Sequence, residues 1–164
     1  MMFAVLILLA AHGAVAQAPP LPPGDLAFGL EKLHWGMSSR DARSFYPRLE
    51  GGPVGSEQIS TTLSLPDYAV LGCRYTVTLE FARGRLDQVT LDSNGVARLA
   101  ACNDKIKAAL SRQYGGEAGG FSTARNPHGY SEYAAWGGPV TEITYGALTG
   151  GFIMVRFTRA GGLQ

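Results

Sequence analysis

Cys73 and Cys102 are the only thiols of this 164-residue chain, and His34 and His128 are its only histidines beyond residue 16. Those four, with the carboxylates and the serines, are the residues that could do chemistry. Metal binding is the first chemistry to ask of them. There is no H-E-x-x-H, no C-x-x-C and no clustered carboxylate loop, so the zinc and calcium templates fail and no metal or cofactor is expected. His34, beside Trp35, reads as a strand-end surface histidine. His128 follows Asn126-Pro127 and precedes Gly129, which is turn composition.

Nucleophilic catalysis comes next. Gly120-Phe121-Ser122-Thr123-Ala124 approaches the G-x-S-x-G elbow, but a glycine loop precedes it, Arg125-Asn126-Pro127 follows it, and the last glycine is missing. The glycines of residues 115–120 have no lysine and no helix behind them, so they do not make a phosphate cradle. Asp87 and Asp92 flank a strand and compose no acid/base arrangement. The sequence therefore points away from an enzyme. Fourteen basic against thirteen acidic side chains leave a net charge of +1, and no run of basic residues exists. Nucleic acid and anionic lipid are excluded as broad electrostatic partners.

The thiols have a different use. Cys73 is in phase with Tyr75, Val77, Leu79 and Phe81 on the apolar side of an alternating strand, and Cys102 is in phase with Leu99, Ile106 and Leu110 on a helix. Both aim at one core. A disulfide between them closes a loop of about 30 residues and should stabilise by roughly 3–4 kcal/mol on the chain-entropy reading. Two buried free thiols are the alternative.

Compartment follows from the ends. Residues 1–16 carry no Lys, Arg, Asp or Glu, and they end in Ala14-Val15-Ala16 after an apolar run from Met1 to Ala11. That run is an h-region rather than the about 20 residues of a membrane span, and the small-x-small ending fits a signal-peptide cleavage site. The expected mature protein begins near Gln17, is periplasmic or secreted from a bacterium, and keeps no stable membrane insertion. Residues 17–27 are read as a proline-rich linker, with four prolines between Gln17 and Gly24.

The elements that would position a site form two stretches, 28–92 and 93–164. In the first, Phe28 to Trp35 reads as a short strand or extended lead-in. Ser38 or Ser39 then caps a two-turn helix with Asp41 in its first turn and a stripe of Ala42, Phe45, Tyr46 and Leu49, limited by Pro47. Strands are expected over Ile59–Leu65, Gly72–Ala82 and Leu86–Leu91, with Arg83-Gly84 as a hairpin turn. In the second stretch, Asp92-Ser93-Asn94 caps a helix from about Val96 to Tyr114. Strands follow over about Tyr130–Trp136, Val140–Tyr145 and Phe152–Thr158. The expected fold is α+β: two units, each a helix plus a three-stranded antiparallel meander, with the helices on one face of the sheet.

Leu33-His34-Trp35-Gly36-Met37-Ser38, followed by Ala42 and Phe45, resembles the lead into the first helix of small exported bacterial α/β domains. These are the barrel-assembly accessory lipoprotein of the outer membrane and the tandem-repeat β-lactamase inhibitor proteins. The resemblance runs from Leu33 to about Pro47, and in outline along the helix–meander order. It implies the fold alone and carries over no binding residue.

One pattern suggests where a partner would bind. In the last strand Ile153, Val155 and Phe157 are the core side, which puts Phe152, Met154 and Arg156 on the face that no helix covers. Trp136 and Tyr133 alternate on a nearby strand, so one of the two joins that face. An aromatic, a methionine and an arginine together have the composition of interface anchors. The expected function is a non-enzymatic protein-binding module for another envelope or secreted protein, as inhibitor, envelope-assembly accessory or complex subunit. Two other readings stand beside it: a binder of a small molecule or cell-wall fragment, and a hydrolase.

Overall fold

A computed structural model of the chain describes residues 26–52, 60–93, 99–114, 131–137, 140–148 and 151–161. The expected signal peptide, most of the linker, His128 and the Ser122 segment lie outside the described residues. The described residues form two helices and one six-stranded antiparallel sheet, an α+β fold that is mostly sheet. The elements are α1 (Ser39–Phe45), β1 (Ser60–Val70), β2 (Cys73–Ala82), β3 (Arg85–Asp92), α2 (Leu99–Tyr114), β4 (Glu132–Gly137), β5 (Thr141–Leu148) and β6 (Phe152–Arg159). Their order across the sheet is β1-β2-β3-β6-β5-β4, so β3 and β6 are the central pair.

Strict alternation sets the core. Leu79 pairs with Leu63 and Val89, Val77 with Leu65 and Leu91, and Val155 with Leu91 and Tyr145. All of these are buried, and Ala42 of α1 and Ile106 and Leu110 of α2 belong to the same cluster. α2 is bound to this face at both ends. The Tyr114 ring lies 6.3 Å from that of Phe157, and Cys102 is placed as a disulfide partner of Cys73, Cα to Cα 6.0 Å.

α1 starts as its sequence demands. The Ser38 hydroxyl accepts from the Asp41 amide at 3.2 Å, and the Asp41 carboxylate accepts in return from the Ser38 amide. This capping box satisfies donors a helix start leaves open, and Pro47 allows no further turn. Phe45 is 44% exposed and does not join the expected stripe, while Ala42 and Leu49 are buried.

Residues 28–35 form successive turns, not a strand. The buried positions before α1 are Leu26, Ala27, Leu30, Leu33 and Met37. That spacing of three and four cannot line one face of an extended chain, so the backbone folds back through Leu30 N–H to Ala27 O and Leu33 N–H to Leu30 O. Leu26 and Ala27, inside the stretch read as linker, thus belong to the core. The segment around Trp35 is a clasp. Gly36 N–H donates to Leu86 O, Leu86 N–H to Met37 O, and the Trp35 indole to Thr141 Oγ1 at 2.8 Å.

Asp92 and Ser93 pair with β6, and Asn94, the third residue of the expected cap, lies outside the described residues. Asp92 is the last residue of β3 and pairs with Met154. Ser93 extends that pairing: its amide donates to Ile153 O at 2.9 Å, and its hydroxyl accepts from the Ile153 amide at 2.7 Å. A polar run after a strand suits a helix cap and a strand end equally, and here the neighbouring β6 supplies partners for Asp92 and Ser93.

Candidate functional site

The candidate site is the sheet face opposite α2, where the register places its residues in rows. Thr78, Thr90, Arg156, Thr144 and Ala135 lie across five strands in one row. Thr76, Asp92, Met154, Gly146 and Tyr133 form the row on one side, and Glu80, Gln88, Thr158, Glu142 and Gly137 the row on the other. Phe152 pairs with Leu148 at the end of the face.

Of the residues expected on this face, Phe152, Arg156 and Tyr133 are on it and half-buried. Met154 is on it but only 3% exposed, so it does not form part of an exposed patch. Alternation fixes which face a side chain takes; it does not say what surrounds it there. Met154 lies outside the main core cluster. Trp136 takes the other parity. It pairs with Ile143 and is 6% exposed in the core, so Tyr133 alone of the two joins the face.

Arg156 is the face's central charge. Its Nε is buried and has no hydrogen-bond partner among the described residues, while its row neighbours across β3 and β5 are the hydroxyl residues Thr90 and Thr144. Asp92 stands one row away and is half-buried. Burial pushes its carboxyl above the ordinary range; the Arg156 charge pulls it down and Glu80 pushes it further up. Glu80 itself accepts from the Gln88 amide at 2.8 Å. Such a surface can hold an arginine or a carboxylate of a partner by charge-assisted hydrogen bonds, beside an apolar corner of Phe152, Leu148 and Tyr133.

Sequence reasoning read Asp92 as a strand flank and helix cap rather than a face residue, and missed Thr90, which is buried at 5% exposure. The signal was present in the alternation of Gln88, Thr90 and Asp92 along β3, opposite Val89 and Leu91.

A second polar cluster lies on the core side. The Tyr145 hydroxyl donates to Asn103 Oδ1, and the Glu132 carboxylate accepts from Lys107 Nζ at 2.8 Å and Asn103 Nδ2 at 3.2 Å. Burial, and then the Glu132 charge, push the Tyr145 phenol well up, while the Lys107 hydrogen bond leads in pulling Glu132 down. A phenol so disposed is a donor and not a base. The cluster fastens α2 to β4 and β5. His34 is exposed and distant from both clusters in sequence, and no group of three or more metal-ligating side chains occurs among the described residues. No described helix is long and apolar enough to cross a membrane.

Comparison with protein families, with curated proteins and with solved structures returns no match to this chain.

Proposed function

We propose that this chain is an exported, non-enzymatic protein-binding module that acts through the sheet face opposite α2. Its partner is another envelope or secreted protein, and its role that of inhibitor, envelope-assembly accessory or complex subunit. The supporting observation is Arg156. A half-buried arginine set between Thr90 and Thr144, with half-buried Phe152 and Tyr133 on the same face, combines the residue types that anchor interfaces. In this reading residues 1–16 are removed on export, the two helix-plus-meander units are a tandem arrangement, and no nucleic acid, metal or cofactor takes part. The implied likeness to the barrel-assembly and inhibitor domains is of fold alone.

Native mass spectrometry of the tagged mature protein recovered from its own envelope tests this against the small-molecule reading. A stoichiometric protein complex, with Arg156→Glu abolishing it, is the expected result. A bound small molecule in place of a protein would contradict it.

A further inference from the structure

The β1–β2 hairpin turns through two residues, Leu71-Gly72, closed by the Val70–Cys73 pair. Both have positive φ, 53° and 78°. Turns of this kind match the twist of the strands and favour Asn-Gly or Asp-Gly, because a side chain at the first position sits in the left-handed region. The β2–β3 hairpin makes the same turn with Arg83-Gly84, at φ 50° and 72°, and there the strained residue is charged and at home in water. At position 71 it is a leucine, 43% exposed. A single exposed leucine on a strand is ordinary. A leucine that is both exposed and held in the left-handed region serves neither the backbone nor the core.

The tip is also held rigid. Lys105 Nζ donates to Leu71 O at 3.2 Å, and the Cys73–Cys102 pair ties the next residue to α2. On the other side of the hairpin Arg74 donates to Asp67 O at 2.9 Å and meets its carboxylate at 3.3 Å. Arg74 and Asp67 neutralise each other, and among the described residues Lys105 is the cation that bonds at Leu71. Side chains fixed before binding lose less freedom on binding.

We propose that the Leu71-Gly72 tip is a preorganised contact anchor. Leu71 enters an apolar pocket of another protein, and a carboxylate on that pocket's rim meets Lys105. This contact is separate from the sheet face around Arg156 and does not depend on it.

The test places a photo-cross-linking amino acid at Ala69, which is exposed on β1, in the full chain expressed in its own envelope. Four versions are compared: unchanged, Leu71→Asn, Val140→Asn and Phe152→Ser. Val140 is 42% exposed and serves as the apolar control, and Phe152 reports the sheet face separately. The expected result is a cross-link to one other protein that falls at least about tenfold in Leu71→Asn, as for a buried anchor, and is kept in Val140→Asn. The melting temperature of Leu71→Asn stays level or rises, because asparagine accepts the left-handed backbone. The proposal is overturned by a fall in melting temperature of more than about 4 °C, which would mean that Leu71 serves the fold. It is equally overturned by an unchanged cross-link, by a cross-link only to a second copy of this chain, or by none.

Discussion

Asp92 carries the most consequence of any single residue on the sheet face opposite α2. Its folded-state carboxyl titrates above the ordinary 3.8, chiefly because burial disfavours the charge. The folded chain therefore holds a proton that the unfolded chain releases between those two values. Stability falls as the pH rises through that window, and the cost is fully present at neutral pH. Asp92→Asn removes it. Denaturant titrations should show the variant more stable than the parent at neutral pH, the difference narrowing as the pH drops below the folded value. A variant less stable at neutral pH would mean that attraction to Arg156 outweighs burial. This residue was hard to read in the sequence, because Asp-Ser-Asn after a strand has the composition of a helix cap. Its place on the sheet face follows from the partners that Ile153 and Met154 of β6 supply.

At the scale of elements, the readable parts are those where a local signal and a tertiary one agree. The alternation from Cys73 to Phe81 gives β2 and its buried face, and Ser38 with Asp41 gives the start of α1. Where they disagree, tertiary packing wins. Phe28 to Trp35 looks half-apolar and extended, but its spacing of three and four buries Leu30, Leu33 and Met37 through turns. β1 continues through Pro66 as far as Val70, tolerated because β1 is an edge strand and its register shifts between Leu65 and Tyr68. Among its described side chains α2 buries Ile106, Ala109 and Leu110 and packs Cys102 and Tyr114 against the core, and its first turns carry side-chain ties to Cys73, Leu71 and Glu132. Cys102→Ser should therefore lower stability by about 2–5 kcal/mol. Hydrogen exchange should quicken most in residues 100–106 and least in β3 and β6. Uniform exchange along the chain would show that the cross-link steadies the whole fold rather than this helix.

For the whole molecule, the sequence tells the α+β class, the antiparallel strands and the pairing of the two cysteines. It does not tell how the six strands are ordered, since nothing local requires β3 to pair with β6. Nor does it tell that Met154 is enclosed while its neighbours Phe152 and Arg156 reach solvent. That difference makes the central claim testable. Met154→Thr removes a buried side chain and should cost about 1.5–3 kcal/mol, whereas Phe152→Ser with Arg156→Ser changes two half-buried positions on the same strand face. The decisive measurement is the melting temperature of the Phe152→Ser/Arg156→Ser protein alongside its capture of the envelope partner. A melting temperature within about 4 °C of the parent together with loss of the partner is the predicted result. Undiminished capture by the folded double variant would contradict the assignment of this sheet face as the binding surface.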